Sequence, residues 1–216
     1  MPDVIVKNLP FLLHGLLLTV ELSLWTIIGG TILGLIVGTL RYLRIPLLSQ
    51  LAVVYIEFIR GTPLLVVLFM TYFGFPALFG YKTDAYHAAL SGFILFIGAY
   101  LAEDFRSGLR SVGAGMVQAA LATGLTRWQV VRLIVLPQAI RRVIPALFNQ
   151  YVRLFKFTSV ASVIGVTELT GAALLVNARD FHPGIIIVAL ALTYLVLCYG
   201  LSVIGRLLYA RFAVKA

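Results

Sequence analysis

The chain has 216 residues, of which 61% are hydrophobic and 12% are charged, and its mean hydropathy is +1.03. About a quarter of the residues of a soluble domain are usually charged, so this composition excludes an ordinary soluble fold and indicates a protein surrounded by lipid. The net charge of +9 could suggest nucleic acid, but the basic residues flank apolar segments, as in membrane proteins, and we expect no nucleic-acid partner. A single cysteine, Cys198, excludes an internal disulfide and a cysteine metal site.

Apolar segments long enough to cross a bilayer recur along the chain. A spanning helix needs about 20 apolar residues, and these runs do not alternate as barrel strands must. The candidate segments are 11–40, 51–79, 85–102, 157–178 and 184–205. The first has no basic leader and is too long for a cleavable signal. The sequence therefore predicts an all-α membrane protein of about five transmembrane helices, forming a single domain over residues 1–216.

The basic residues predict the orientation in the membrane, because they favour the cytoplasmic side. One side of the membrane would carry Arg41, Arg44, Arg106, Arg110, Arg127, Arg132, Arg141, Arg142, Arg153, Lys156, Arg206, Arg211 and Lys215. The other side would carry Lys7, Lys82 and Arg179. This asymmetry predicts an N-terminus outside the cell and a cytoplasmic C-terminus.

Two spans carry features that affect helix packing. Gly30, Gly34 and Gly38 recur every fourth residue on one face of the first span, which favours a close helix–helix contact within the bundle or across a dimer. Pro63 follows Gly61 and Thr62 in the second span, and proline in a helix interior predicts a kink that frees backbone groups.

The segment 106–137 is polar enough to stand in the cytoplasm. Residues 115–123 read as a short helix that stops at Gly124, a residue suited to the left-handed cap position. Thr126 and Gln129 have the spacing of a capping box and open a second helix through Leu136. After Pro137 an apolar stripe at helical spacing, from Ile140 to Phe155, predicts a further amphipathic helix that lies at the membrane interface or leads obliquely into the fourth span.

This segment resembles the EAA loop of ABC importer permeases. The matching residues are Gln118-Ala119-Ala120, Gly124-Leu125 and Leu136-Pro137. Three further segments resemble the polar amino acid subfamily: Glu57 to Val66, with its Arg-Gly-Thr-Pro core, Ala99 to Glu103, and Lys156-Phe157-Thr158-Ser159-Val160. The match runs from about Gly15 to Leu208. The sequence departs from the family pattern at two positions. Gln118 stands where the Glu-Ala-Ala triplet has its acidic residue, and Val160 stands where the family usually has leucine.

The resemblance implies a type I ABC importer permease fold, working as a dimer of two copies or two homologues in a bacterial inner membrane. It implies an ATPase partner that binds ATP and Mg²⁺, an extracytoplasmic amino-acid-binding protein, and no cofactor, metal or catalytic residue in this chain. Polar amino acids, with basic ones among the candidates, would cross by ATP-driven alternating access. ATPase docking is expected at Val117, Gln118, Ala119, Ala120, Leu121, Gly124 and Leu125, with Met116 adding apolar contact.

Ionisable residues inside spans are candidates for substrate contacts. Glu168 is predicted to lie mid-span without a basic neighbour, where its carboxylate could bind an ammonium group. Glu57 and Arg60 are three residues apart, so a local ion pair is the alternative to substrate binding; Glu103 and Arg106 share this spacing. The hydroxyls of Thr62, Thr158 and Ser159 could bind polar groups of the substrate or their own helix backbone.

Two other classes of membrane protein are alternatives. A membrane enzyme is disfavoured because the histidines are scattered and Ser91-Gly92 lacks a nucleophile motif. A stand-alone secondary transporter of a small polar solute is the stronger alternative, since it also needs buried charges, but it usually shows paired repeats. The choice of amino acid and of homodimer or heterodimer stays open.

Overall fold

The computed structural model describes residues 3–212, with side-chain surroundings for residues 4–207, and this part of the chain is helical without strands. Helix α1 spans Asp3–Leu43 and, at 1.5 Å per residue, is about 60 Å long. Three helices are long and apolar enough to cross a membrane, and up to five spans result if each of two bent helix pairs counts as one.

The second predicted span is broken at Pro63, where a kink was predicted. Helix α2 (Leu48–Gly61) ends at Thr62, which is extended, and the chain then turns at Pro63 into α3 (Leu64–Phe69). A π-helical turn (Met70–Gly74) leads into α4 (Phe75–Phe79). The two halves are bent by 112°, which confirms the kink predicted at Pro63 within the segment 51–79.

Helix α5 (Ala85–Arg110) lies at the centre of the bundle. The Asp84 side chain caps its N-terminus by accepting from the backbone N–H of His87. This hydrogen bond and a second one with the His87 side chain hold the pKa of the Asp84 carboxyl below its usual value. Phe93, Ile97 and Leu101 are fully or almost fully buried in the main core.

The glycine stripe of α1 packs on α5. A Cβ at Gly34 would lie 2.6 Å from the Leu101 Cβ, and one at Gly38 would lie 2.5 Å from the Ala102 carbonyl oxygen. The two helices therefore approach at a distance that only glycine permits, and the prediction of close packing within the bundle is confirmed.

The segment between the third and fourth predicted spans contains α6 (Ala114–Ala122), α7 (Arg127–Val130), a π-helical turn (Val131–Val135) and α8 (Leu136–Phe157). The chain stays helical from α7 through α8, so the predicted helix end at Leu136 is wrong. Pro137 occupies the first turn of α8, directly after the wider π turn, where its missing N–H breaks no α-helical hydrogen bond.

The fourth predicted span, over 157–178, is also broken into two helical parts. After α8 comes a 3₁₀ segment (Thr158–Ile164), which ends at Gly165 with φ +90°. Helix α9 (Leu169–Asp180) then starts at a bend of 48° to the preceding helix. The long apolar α10 (Pro183–Phe212) packs against α8 and α9.

Candidate functional site

The helix–turn–helix formed by α6 and α7 has the predicted capping residues. Gly124 has φ +86°, the left-handed conformation that stops α6. Thr126 and Gln129 form the predicted capping box: the Thr126 Oγ1 accepts from the Gln129 backbone N–H at 3.3 Å, and the Gln129 Oε1 accepts from the Thr126 backbone N–H at 2.8 Å. The turn therefore holds the two short helices in a defined relation.

The predicted docking residues divide between an inner and an outer side. Ala120 is 7% exposed and packs with Val112, Val130 and Val135 in a small core of the loop itself, against which Val117 and Leu125 are half-buried. Ala120 therefore packs mainly inside the loop and offers little surface to a docking partner. The docking residues that remain exposed are Gln118, Ala119, Leu121 and Gly124.

The exposed side also carries apolar residues that the sequence argument did not assign. Trp128 is 71% exposed and Leu133 is 60% exposed, beside the 47% exposed Met116. The signal that could have found Trp128 is its place in the first turn after the capping box, opposite the buried Val130. A tryptophan this exposed on a loop between membrane spans is typical of an interaction surface.

Polar contacts attach the helix–turn–helix to the bundle. The Arg142 guanidinium of α8 donates to the Ser111 carbonyl oxygen at the start of the loop. About two turns before the end of α5, Glu103 pairs with Arg106, as the spacing predicted, and also with Arg41 at the end of α1. These contacts link the loop and the neighbouring ends of α1, α5 and α8.

Glu168 lies at the break before α9 and not in the middle of a helix, which corrects its predicted position. Its side chain is fully buried and caps α9, accepting from the backbone N–H groups of Thr170 (3.0 Å) and Gly171 (2.9 Å). The Tyr194 hydroxyl of α10 donates to it at 2.9 Å, and the Thr19 Oγ1 of α1 lies 3.4 Å away. Four donors of the chain itself thus surround this carboxylate.

The hydroxyls predicted near the substrate bind their own helix backbone. Thr158 is fully buried and donates to the Phe155 carbonyl oxygen at 2.8 Å. Ser159 donates to the Lys156 carbonyl oxygen at 2.7 Å, and Thr62 to the Phe58 carbonyl oxygen at 2.7 Å. All three hydroxyls therefore bond to their own helix backbone, which was the alternative to a substrate contact.

Glu57 and Arg60 are exposed and form no ion pair with each other, so the local ion-pair interpretation is wrong. The Arg60 guanidinium instead lies over the ring of Tyr100 in α5, 5.2 Å from its centroid, a cation–π distance. Arg60 and Thr62 thus stand at the broken end of α2. In the described part of the chain no hydrogen bond joins this group to Glu168 or Thr158.

A second carboxylate, which the sequence analysis did not single out, lies near Arg60 and Tyr100. Asp104, one turn after Tyr100 in α5, accepts a hydrogen bond from the Gln150 Nε2 of α8 at 3.2 Å. The Gln150 Oε1 is buried and has no hydrogen-bond partner. Among the residues that the structure describes, no group of three potential metal ligands occurs.

Comparisons with known proteins agree with this architecture. Residues 5–214 match the family described as binding-protein-dependent transport system inner membrane component. The chain is 40% identical over 210 residues to the probable glutamine ABC transporter permease protein GlnP of Bacillus subtilis (strain 168), covering 95% of each. It is 37% identical over 204 residues to the glutamine transport system permease protein GlnP of Escherichia coli (strain K12), covering 94% of this chain and 93% of the relative.

A solved structure has the same fold. The fold superposes on a chain in the crystal structure of an amino acid ABC transporter with histidines, with a TM-score of 0.91 and 32% identity over 96% of each chain. The family match and the relatives cover almost the whole sequence. The chain therefore belongs to the binding-protein-dependent transport system inner membrane components and is a multi-pass permease subunit of an ABC importer, a transport component and not an enzyme.

Proposed function

We propose that this permease subunit carries polar amino acids, and that a separate ATPase drives it through an apolar docking surface formed by Met116, Leu121 and Trp128. The exposure of these three side chains on a capped helix–turn–helix is the observation that carries the proposal. A short helix seated in a groove of a partner is a common recognition mode. The names of the relatives, glutamine and amino acid transporters, support the substrate class.

ATP and Mg²⁺ would be bound by the partner ATPase. Its closure would push on α6 and α7, and because α7 continues into α8 the movement would pass into the bundle as a rigid-body rotation. The Arg142 contact to Ser111 would keep the loop and α8 moving together. The residues of this chain would thus transmit the movement to the bundle, and the ATPase would supply the chemical energy.

The remaining partners follow from the same family membership. We expect a second permease, a copy or a homologue, beside this one, and an extracytoplasmic binding protein that delivers the amino acid. The N-terminus would lie outside and the C-terminus in the cytoplasm, as the distribution of basic residues predicts.

The substrate contacts would come from residues at the two helix breaks. Arg60, Glu57 and Thr62 are exposed or half-buried beside the break of α2 and can meet a solute directly. Glu168 and Thr158 are buried, so they would reach the solute only if α10 and its Tyr194 hydroxyl moved away. Ser159 is half-buried at the start of the second break.

The test is ATPase activity in proteoliposomes that contain this chain, its ATPase and its binding protein, titrated with a panel of amino acids. We expect stimulation by polar amino acids. Trp128→Ala should reduce co-purification of the ATPase, whereas the matched Trp25→Ala, in a tryptophan of α1 that is 53% exposed, should not. Uptake that needs no ATPase and follows an ion gradient would contradict the proposal and indicate a secondary transporter.

A further inference from the structure

Three elements bring charged and amide groups together on one side of the bundle, at the level of Tyr100 and Asp104 of α5. The Arg60 guanidinium from α2 is held over Tyr100, and the Gln150 amide from α8 is held by Asp104. Asp104 follows Tyr100 by one turn of α5, and Arg153 follows Gln150 by three residues in α8. An acid and a base from different helices thus lie close together.

The hydrogen bonds of this group are incomplete. The Gln150 amide must present its Nε2 to the Asp104 carboxylate, because a carboxylate only accepts, and this orientation leaves the Gln150 Oε1 buried without a donor. A buried acceptor without a partner is rare and costly in a folded protein. The Asp104 carboxylate also has room for more donors, since Gln150 supplies one hydrogen bond to it. What this site lacks is a group with several N–H donors.

An ammonium group has three donors and no acceptor, which is the complement of Asp104 and the Gln150 Oε1 together. A simple cation would be repelled by the neighbouring Arg60 and Arg153. A zwitterion avoids this repulsion, because its own carboxylate can accept from the Arg60 guanidinium. The cluster is thus complementary to a free amino acid.

We propose that Asp104 and Gln150 bind the ammonium group of the transported amino acid while Arg60, positioned by Tyr100, binds its carboxylate. This inference rests on the proposed function and names residues for its substrate site. Glu168, by contrast, already has four donors from its own chain, so an incoming ammonium group would have to displace one of them.

The test measures equilibrium binding to the complete transporter, purified without its binding protein. The probe is whichever of radiolabelled L-glutamine and L-histidine stimulates the ATPase more. Asp104→Asn should weaken binding about ten- to hundredfold, as expected for the loss of charge-assisted hydrogen bonds, and Gln150→Leu about threefold or more. Asp104→Glu should recover part of the affinity.

Matched controls carry the same chemical changes away from the cluster. Asp84→Asn and Gln50→Leu replace exposed residues outside it and should leave the affinity unchanged. The N-acetylated form of the probe lacks the ammonium group. The wild type should therefore prefer the free amino acid, and Asp104→Asn should lose most of that preference, a result that a merely structural role for Asp104 would not produce.

The outcomes distinguish a failure of the proposed function from a failure of the inference about Asp104 and Gln150. If no polar amino acid stimulates the wild-type complex, the proposed function fails. If the wild type responds but Asp104→Asn binds like Asp84→Asn, or keeps the full preference over the N-acetylated probe, the inference about Asp104 and Gln150 is overturned. If Asp104→Asn does not assemble, Gln150→Leu takes its place. Loss of its preference for the free over the N-acetylated amino acid supports the inference, and a full preference overturns it.

Discussion

Glu168 shows how this bundle keeps a carboxylate away from water. Two backbone N–H groups at the start of α9 and the Tyr194 hydroxyl donate to it, and Thr19 of α1 lies beside them. The first turn of a helix has N–H groups without intrahelical partners, and an acidic side chain there satisfies them. One residue thereby joins α1, α9 and α10 at the break of the fourth span.

Replacing Glu168 by glutamine tests this role at the level of the residue. The amide loses the charge and turns one acceptor into a donor, which then faces N–H or O–H donors. We expect a loss of about 1–3 kcal/mol of stability and weaker uptake, with assembly retained; thermal unfolding of the complex and proteoliposome uptake measure the two effects. Glu21→Gln, in an exposed glutamate of α1, serves as the control. Normal uptake by Glu168→Gln would remove Glu168 from the transport mechanism.

At the scale of elements, the contact between α1 and α5 depends on glycine. In a membrane, helices associate mainly through van der Waals packing, so close approach of two backbones stabilises the pair. The Cβ that glycine lacks would collide with the Leu101 Cβ at Gly34 and with the Ala102 carbonyl oxygen at Gly38. A backbone oxygen cannot rotate away, so Gly38 is the stricter position.

Gly38→Ala is therefore expected to destabilise the protein. The added methyl group must separate α1 from α5, at a cost of about 1–3 kcal/mol for an overpacked contact. Gly200→Ala is the matched control, since a Cβ at Gly200 in α10 meets no atom within 4 Å. Thermal unfolding of the purified transporter compares the two. Equal melting temperatures would show that the helices do not approach this closely.

The turn between α6 and α7 is a second element whose shape depends on one residue. Gly124 has φ +86°, a conformation that costs L-residues roughly 1–2 kcal/mol. Gly124→Ala should loosen the helix–turn–helix and weaken ATPase binding, whereas Gly115→Ala inside α6, with open space around it, should not. Co-purification of the ATPase with each variant gives the comparison, and unchanged recovery with Gly124→Ala would argue against a rigid docking element.

At the scale of the whole molecule, the positions of the basic residues predict which end faces the cytoplasm. Labelling of single cysteines by a membrane-impermeant maleimide, in a Cys198→Ser background, tests this directly. Lys82→Cys, between α4 and α5, should react in intact cells, and Gly115→Cys, in α6, should react only after permeabilisation. The reverse pattern would place the helix–turn–helix outside and exclude an ATPase there.

The amino-acid sequence by itself determined the helical membrane architecture, the kink at Pro63 and the capped turn at Gly124. These features depend on local properties: the length of apolar runs, the fixed φ and missing N–H of proline, and the tolerance of glycine for positive φ. The family resemblance could be found for the same reason, because its motifs are contiguous segments.

Only the tertiary structure decided which partner each polar side chain chooses. Arg60 lies on Tyr100 although Glu57 is one helical turn away, and Gln150 meets Asp104 from another helix. The break before α9, which makes Glu168 a cap, and the inward direction of Ala120 likewise follow from packing between elements. Spacing along one helix identifies the neighbours that a side chain could contact, but inside a bilayer the residues of adjacent helices compete for it, and their positions depend on the whole bundle.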